Sequence, residues 1–375
     1  MIEKKICAVL VGVTVFAAAS SAAFGQSSLT IYGRIDAGIE YANGIPTGAS
    51  SSAQTTGGAS RWSGESGDGG VSMFGIKGTE DLGGGTTVQF HLENQFTANN
   101  GQLAGAGFFN RFSTVGVAND RLGALTVGHQ LFISNAVWDF DPFGQSPWAS
   151  ASLDRGRNWP FSDNAIQYDS PKLGGFAFSG QYSLSNATSW NGNGTTPDGR
   201  MGGAYVTYTN SLVQLRAMYD ETRDPSNGQF DNVYLYSREY TLAANVFLGS
   251  LKLQAAWQAS RTSGVTANTG DGPTTTDYEW AGATWQASRT LSWQAAVYHI
   301  NANNDGGNAT MYSIGAIYDL SARTQFHTQI VTVRNSRTAN FSMSAISGLG
   351  TTVASGNPLT GHSQSGAFIG IMHYF

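Results

Sequence analysis

The chain of 375 residues contains 48 glycines and 12% aromatic residues, while only 12% of its residues are charged. Its formal net charge of −5 argues against a nucleic-acid partner, because the phosphate backbone attracts basic surfaces. After the N-terminal region there is no run of about 18 apolar residues, so the sequence excludes a transmembrane helix.

The N-terminal segment has the pattern of an export signal. Two lysines precede the apolar run 6–19, and small residues then follow up to Gly25. This arrangement predicts a Sec-type signal peptide over residues 1–25, cleaved before Gln26. A membrane anchor is the alternative, but the run is short and ends in a cleavage-like pattern. The only cysteine, Cys7, precedes the apolar run, so it does not mark a lipid-modified N-terminus.

Polar and apolar residues alternate in the first segments after the signal. Within Leu29–Tyr41, isoleucines occupy one face while Arg34 and Asp36 share the other. Residues 71–96 continue as two alternating strands joined by a Gly-rich turn at 80–85. A soluble sandwich would crowd small residues into its inner layer, whereas here large charged groups occupy the polar face. The pattern therefore favours a barrel with a wet lumen and a lipid-facing exterior.

The same alternation recurs along the rest of the chain and gives about sixteen predicted strands, an even number. The further segments are 109–118, 123–131, 163–170, 175–184, 202–209, 211–220, 238–248, 250–260, 277–287, 290–300, 310–319, 323–333 and 365–375. Short turns are predicted at Asn119–Leu122, Pro171–Gly174, Leu248–Ser250, Ala287–Thr290 and Leu320–Ala322. Long polar loops are predicted at Ala42–Gly70, Phe132–Ser162, Ser185–Met201, Arg261–Thr276 and Arg334–Gln364. Short periplasmic turns and long external loops are typical of a transmembrane β-barrel.

Two of the long loops differ in composition. Ala42–Gly70 consists mainly of Gly, Ser and Thr with little to bury, so we expect it to be mobile and exposed. Phe132–Ser162 instead carries seven aromatic residues and three prolines. Such a loop needs a surface to pack against, and the barrel lumen offers one. We therefore predict that this loop folds inward and narrows the channel.

Several short motifs occur in an order that is specific over the full chain. They are Leu-Thr-Ile-Tyr-Gly at 29–33, Phe-Gly-Ile-Lys-Gly at 74–78, Glu-Asp-Leu-Gly-Gly-Gly at 80–85, Phe-Asn-Arg at 109–111, Asp-Pro-Phe-Gly at 141–144, Tyr-Asp-Ser-Pro at 168–171 and Gly-Ile-Met-His-Tyr-Phe at 370–375. On these motifs, residues 26–375 resemble the trimeric general porins of Gram-negative outer membranes, especially the β-proteobacterial type. The resemblance implies an all-β fold, a single transmembrane antiparallel β-barrel domain of about 16 strands with an inward-folded third loop. It also implies a homotrimer in outer-membrane lipid, inserted by the outer-membrane barrel assembly machinery.

The family's constriction sets basic residues of the wall opposite acids of the third loop, which makes a transverse field. By its match to the motifs, Arg111 is a wall base, and Lys77 is the base of the Phe-Gly-x-Lys-Gly motif. Met73 departs from the family, since similar porins usually carry Arg before that Phe-Gly. Arg34 is a lumen candidate from strand alternation alone, and a hydrated residue without a role in selectivity is the alternative.

Further constriction candidates follow from the same comparison. Gln167 and Asp169 have the lumen parity of a strand on which the family often has a basic group. Arg155 and Arg157, just upstream, are expected to compensate in part. The predicted loop acids are Asp139, Asp141 and Asp154. With Met73 uncharged, these residues predict a channel that is nearly neutral or weakly cation-leaning.

The last strand and the outer surface carry two further expectations. Ile371, His373 and Phe375 share one face, and the terminal aromatic resembles the family's assembly signal. The first five strands and the second loop, Thr97–Phe108, are expected to form the trimer contact, with small outward residues such as Ala37 allowing close approach.

The preferred function is a passive channel for ions and small hydrophilic solutes, without catalytic residues, cofactor or metal site. A channel specific for a sugar or small carboxylate is the first alternative, and an aromatic ladder or basic track in the lumen would favour it. An enzyme built on a barrel would need a clustered Asp/His or Ser/His pair near one rim, and a structural or adhesive barrel would not conduct. The histidines lack metal-ligand spacing, and His129 has outward parity, which favours an intersubunit contact.

Overall fold

The structure is a computed structural model that describes residues 27–46, 58–184, 199–263, 272–345 and 356–375. The predicted signal peptide, residues 1–25, lies outside these ranges. In the part of the chain that is described, no helix is both long and apolar enough to cross a membrane.

One antiparallel sheet contains all the strands of the described residues. The strands are β1 (Ser28–Pro46), β2 (Gly58–Glu65), β3 (Ser72–Gly83), β4 (Thr86–Phe96), β5 (Phe112–Asn119), β6 (Gly123–Leu131), β7 (Phe161–Asp169), β8 (Phe176–Ser183), β9 (Met201–Thr209), β10 (Val213–Thr222), β11 (Arg238–Leu248), β12 (Leu251–Arg261), β13 (Thr275–Gln286), β14 (Leu291–Ala302), β15 (Gly307–Ser321), β16 (Thr324–Asn335) and β17 (Gln364–Tyr374). Apart from β2 and β3, each strand pairs with its neighbours in sequence, and β1 also pairs with β17. The sheet therefore closes into a barrel.

The strands β2 and β3 share one position in the barrel wall. β1 pairs with β3 through Ser28–Arg34 and with β2 through Gly38–Pro46. The barrel accordingly has sixteen strand positions, and the prediction of about sixteen alternating segments is confirmed. All five predicted short turns join neighbouring strands.

The expectation of a loop over Ala42–Gly70 is wrong at both ends, since Ala42–Pro46 belongs to β1 and Gly58–Glu65 forms β2, although side chains of β2 such as Trp62 are exposed as expected. β2 pairs with the C-terminal part of β1, Gly38–Pro46, and Trp62 packs on Tyr41 with ring centroids 5.0 Å apart. Backbone pairing with β1 orders this segment although its composition offers little apolar surface to bury. Residues 47–57 lie outside the described residues.

Alternation along β1 sets the two surfaces of the wall. Arg34 and Asp36 are buried on the inner face, whereas the side chains of Ile35 and Ile39 are exposed on the outer face. Exposed Leu, Ile, Val and aromatic side chains continue around the other strands. An apolar exterior around a polar interior is the arrangement that a lipid bilayer requires.

The connection between β6 and β7, residues 132–160, is called the inner loop here. It contains a 3-10 helix, Ile133–Phe140, and one short helix, α1 (Ser150–Leu153). Its backbone carbonyls accept hydrogen bonds from inner-face side chains of six strands, β10–β14 and β16, and four of these bonds show the arrangement. These bonds run from Asn245 to Asp139 (2.9 Å), from Trp280 to Phe140 (3.0 Å), from Tyr278 to Ser150 (2.9 Å) and from Gln329 to Trp148 (2.8 Å).

The aromatic residues of the inner loop belong to the main buried cluster of the protein. Phe140 and Trp148 are almost completely enclosed, and the Trp148 ring lies 4.9 Å from that of Phe368 on β17. The cluster joins the loop to residues of β10–β17 rather than to the outer surface. The apolar core of this molecule thus lies between the loop and one side of the wall.

Candidate functional site

The interior has two sides with different chemistry. We call the inner faces of β1, β3, β4, β5 and β6 the open wall, because an open volume of about 270 Å³ borders the last four of these strands. The inner faces of β9–β16 together with the inner loop form the packed side. Most of the predicted lumen residues lie on one of these two sides, whereas Gln167 and Asp169 lie between them on β7.

Arg34 and Met73 lie directly opposite each other across β1 and β3. The Arg34 guanidinium donates from Nε to the carbonyl of Val71 (2.6 Å) and from Nη2 to Oε1 of Gln145 on the inner loop (2.6 Å). Arg34 therefore bridges the wall and the loop. Its uncharged neighbour Met73 leaves the adjacent wall position without a base.

The two motif-predicted bases of the open wall have different surroundings. Lys77 is exposed, and its ammonium lies 5.1 Å from the ring centre of Tyr32. Arg111 is buried and pairs with Glu93, with 2.6 Å between Nε and Oε1. The charge of Arg111 is therefore largely balanced locally, while that of Lys77 acts on the open volume.

A contact between a histidine and an aspartate on the inner face was not predicted from the sequence. His327 on β16 lies with Nε2 2.6 Å from Oδ1 of Asp36, whose other oxygen accepts hydrogen bonds from the backbone N–H groups of Gly69 and Gly70. These contacts fold the segment between β2 and β3 against the inner face. Alternation had placed Asp36 there, but the strand of its partner is distant in sequence.

Of the three predicted loop acids, Asp139 alone has a largely exposed side chain, at 56%. Its Oδ2 lies 2.9 Å from Nη1 of Arg216 on β10. Lys252, on the inner face of β12, is also subject to the charge of Asp139. Neither Arg216 nor Lys252 was among the predicted bases, although both follow from alternation in their strands.

Asp141 is enclosed in the inner loop and shapes it. Its carboxylate accepts hydrogen bonds from Tyr298 Oη (2.6 Å) and from the backbone N–H groups of Phe143 (2.9 Å) and Ser150 (2.7 Å). Burial raises the pKa of Asp141, and these hydrogen bonds act in the opposite direction. The carboxylate thus fixes the fold of the loop.

Asp154 and Arg157 belong to a buried charge cluster under the inner loop. Arg157 Nη2 lies 2.8 Å from Oδ1 of Asp220 on β10, and Glu239 on β11 is close by. Burial, followed by the charge of Glu239, raises the pKa of Asp154 well above its usual range. Burial alone would lower the pKa of Arg157, but the charges of Asp220, Glu239 and Asp154 raise it. One base is therefore shared by three carboxyl groups.

Arg155 is likewise enclosed. It donates from Nη2 to Oδ1 of Asn340 (2.9 Å), and its guanidinium lies 4.7 Å from the ring of Tyr234 and 4.3 Å from that of Phe341. Burial lowers its pKa. The structure thus places both Arg155 and Arg157 between the loop and the wall rather than at the surface of the lumen.

Gln167 and Asp169 lie on the inner face of β7, opposite Thr126 and Ala124 of β6. Gln167 donates from Nε2 to Oδ2 of Asp169 (2.8 Å). Asp169 therefore adds a negative charge near the periplasmic end of the wall, and Gln167 adds no charge.

The terminal residues close the barrel. Phe375 and Gly33 exchange two backbone hydrogen bonds of 3.0 and 3.1 Å. On β17, Ile371 has an exposed side chain, and His373 lies 2.9 Å from Oγ1 of Thr324. Both residues pair with β1 through the register Ala37 to Ile371 and Ile35 to His373.

The closed barrel and its loop match a known family. A profile described as "Gram-negative porin" matches residues 12–338. The chain belongs to the Gram-negative porin family. Porins are channels, and this chain is an outer-membrane porin.

Individual relatives agree with this assignment. Outer membrane porin protein 32 of Delftia acidovorans is 28% identical over 374 residues, covering 96% of this chain and 97% of the relative. An outer membrane porin protein of Bordetella pertussis is 27% identical over 322 residues, covering 82% of this chain and 80% of the relative. Both matches span most of each protein, and they place the porin in the same broad group as the sequence motifs did.

Solved structures show the same fold. The anion-selective porin from Comamonas acidovorans superimposes with a TM-score of 0.73 at 23% identity, covering 93% of this chain and all of that one. The trimer form of OmpT from Vibrio cholerae gives a TM-score of 0.63 at 12% identity, with 93% and 100% coverage. At these identities the likeness establishes the barrel, while selectivity depends on the residues of this porin.

Proposed function

We propose that this porin is a passive diffusion channel for ions and small hydrophilic solutes, with its passage along the open wall. The observation that carries the proposal is the open volume beside β3–β6, which is lined by side chains of mixed polarity. The polar side chains include those of Lys77, Thr79, Gln89, His91, Thr114 and Thr126, and Ala118 and Ala124 are among the apolar ones. Hydroxyl, amide and imidazole groups replace water contacts for many solutes without selecting one of them.

The test is conductance of the purified porin in a planar bilayer, together with swelling of liposomes in sugars of increasing size. We expect stepwise conductance that rises linearly with salt and a swelling rate that falls smoothly with solute size. A protein that inserts without conducting would contradict the proposal, and saturating flux of one sugar or carboxylate would identify a specific channel instead.

The passage is proposed to be nearly neutral or weakly cation-leaning. Several lumen charges are balanced where they stand, as in the pairs of Arg111 with Glu93 and Arg216 with Asp139. Met73 supplies no charge to the passage, and the negative charge of Asp169 offsets the positive charge of one basic side chain. Support for this near-neutrality thus comes from local pairing, with Lys252 as the compensating base.

The functional unit is proposed to be a homotrimer, in contact with outer-membrane lipid around its rim. The residues of Thr97–Phe108 are largely exposed beside the first strands, and Ala37 lies on the outer face of β1. Native mass measurement in mild detergent is expected to give three copies, and a monomer alone would reject the trimer.

Residues 1–25 are proposed to be the export signal, and Phe375 the residue read by the barrel assembly machinery. Deleting Phe375 also removes two hydrogen bonds that close β17 against Gly33. We expect the truncated protein to be exported but to lack the heat-modifiable barrel form. Normal barrels from the truncated chain would contradict this role.

A further inference from the structure

A second cavity lies on the inner face at the extracellular end of the barrel, where β2 adjoins β1. Its volume is about 380 Å³, and it is separate from the open volume beside β3–β6. Among the described residues, three carboxyl groups and one base line it: Glu40 of β1, Arg61 and Glu65 of β2, and Asp68 of the segment between β2 and β3. With all four groups ionised, the cavity carries an excess of negative charge.

The base is already engaged by two of the acids. Arg61 Nη2 lies 3.2 Å from Oε1 of Glu40 and 3.7 Å from Oε1 of Glu65. Asp68 is only 8% exposed, and its Oδ2 has no hydrogen-bond partner among the described residues. Burying a carboxylate oxygen without a hydrogen-bond donor costs free energy. A proton or a cation from outside the chain would remove that cost at this atom.

The other half of the cavity is only partly apolar. Pro147 and Trp148 of the inner loop, Ile45 of β1 and Met343 of the last long loop line it beside the polar Ser66, Ser342, Ser344 and Gln364. A volume of this size falls within the roughly 300–1,000 Å³ of small-molecule sites. A bare metal ion would leave most of that space and its apolar lining unfilled, whereas an organic cation fills both halves.

We propose that this cavity binds a small organic cation, a primary ammonium or guanidinium group against Asp68 and a compact apolar body against Trp148 and Met343. The N–H groups of the cation donate to the unpartnered Oδ2 of Asp68, and the excess charge of Glu40 and Glu65 stabilises the bound cation. The site goes beyond passive diffusion, because it holds one class of solute above the inner loop before passage.

Proton release is a signature of this site. Burial, followed by the charges of Glu40, Glu65 and Asp36, raises the pKa of Asp68 to about 8. At pH 7 most of the free protein therefore carries a proton on Asp68, and a bound cation displaces it. The apparent affinity is expected to rise between pH 6 and pH 8, a range given by that pKa.

The test is isothermal titration calorimetry of the detergent-solubilised porin with benzylamine, with benzyl alcohol as the neutral counterpart. We expect saturable binding of benzylamine at one site per chain and no saturable heat from benzyl alcohol. Asp68→Asn should weaken benzylamine binding at least tenfold. The matched control Asp305→Asn, which removes an acid from an exposed turn on the same side of the membrane, should leave binding unchanged.

Two further measurements keep the proposal open to refutation if Asp68→Asn folds poorly. Arg61→Gln removes the base of the cavity and should tighten benzylamine binding several-fold. Titrations of the wild type in two buffers with different heats of protonation should show release of close to one proton at pH 7. Equal binding by Asp68→Asn, saturable binding of benzyl alcohol, weaker binding by Arg61→Gln, or no benzylamine binding would each overturn the proposal.

Discussion

Lys77 on the open wall and Arg157 on the packed side are both basic residues inside one barrel, but their surroundings differ. Lys77 is exposed to the open volume, with the ring of Tyr32 as its neighbour. Arg157 is buried beside Asp220 and donates to Thr222 and to the carbonyl of Ser237. The first side chain can influence a passing ion, whereas the second holds the inner loop to β10 and β11.

A position on the lumen-facing side of a strand therefore does not by itself determine the role of a charged residue. What lies opposite each charge decides between a contribution to the field and a contribution to the fold. A buried pair interacts strongly because little water screens it. The field of an exposed charge is screened by dissolved ions over a distance of about 10 Å at 0.1 M salt. Substitutions on the packed side should therefore change stability, and those on the open wall should change selectivity.

The largest effect is expected from Arg157→Met. This change leaves Asp154, Asp220 and Glu239 buried without their shared base, which costs about 3–5 kcal/mol in comparable buried pairs. We expect a much lower midpoint of heat denaturation in detergent, or no folded barrel. The measurement is the loss of the fast-migrating folded form in gels as the sample is heated.

Two controls isolate the charge cluster. Lys77→Met removes a base of similar size from the open wall. Its midpoint of heat denaturation should stay close to that of the wild type, because the free energy of unfolding should change by no more than about 0.5 kcal/mol. Adding Asp220→Asn and Glu239→Gln to Arg157→Met should restore part of the lost stability. Equal midpoints for Arg157→Met and Lys77→Met would refute the division between the two sides.

A smaller effect is expected from the two loop acids. Asp141→Asn keeps one acceptor oxygen, so it deprives either Ser150 N–H, or both Phe143 N–H and Tyr298 Oη, of an acceptor, and should cost about 1–3 kcal/mol. Asp139→Asn removes a mostly exposed partner of Arg216 and should cost less than about 1 kcal/mol. The pair is compared by the same heating series. A larger loss for Asp139→Asn than for Asp141→Asn would reverse our assignment of their roles.

Much of the fold could be predicted from the sequence because a barrel wall imposes strict alternation. The inner position of Arg34 and Asp36 followed from that period, and Arg216 and Lys252 could have been found in the same way. The strand β2 could not be predicted in this way, because it is held by backbone pairing with β1 and its sequence has no alternating apolar pattern. The enclosure of Arg157 depends on Asp220 and Glu239, which come from strands distant in sequence. No local sequence pattern predicts that these side chains lie together.

The smallest effects are expected for ion selectivity, where each side contributes one exposed charge. Lys77→Met should shift the permeability ratio towards potassium, and Asp139→Asn should shift it towards chloride. Each shift should be about two- to fivefold, as expected for a screened charge worth ~0.4–1 kcal/mol. Zero-current potentials under a potassium chloride gradient measure both. Shifts of the same sign would show that one of these side chains does not face the passage.

The near-neutral passage itself is tested most directly by the reversal potential of the wild type beside that of Met73→Arg, with Met73→Gln as a neutral control. We predict a wild-type value near zero or slightly on the cation side under a potassium chloride gradient. Met73→Arg places a base beside Arg34 and should move the value towards chloride, while Met73→Gln should not. A wild-type channel that is already strongly selective for chloride would contradict the account.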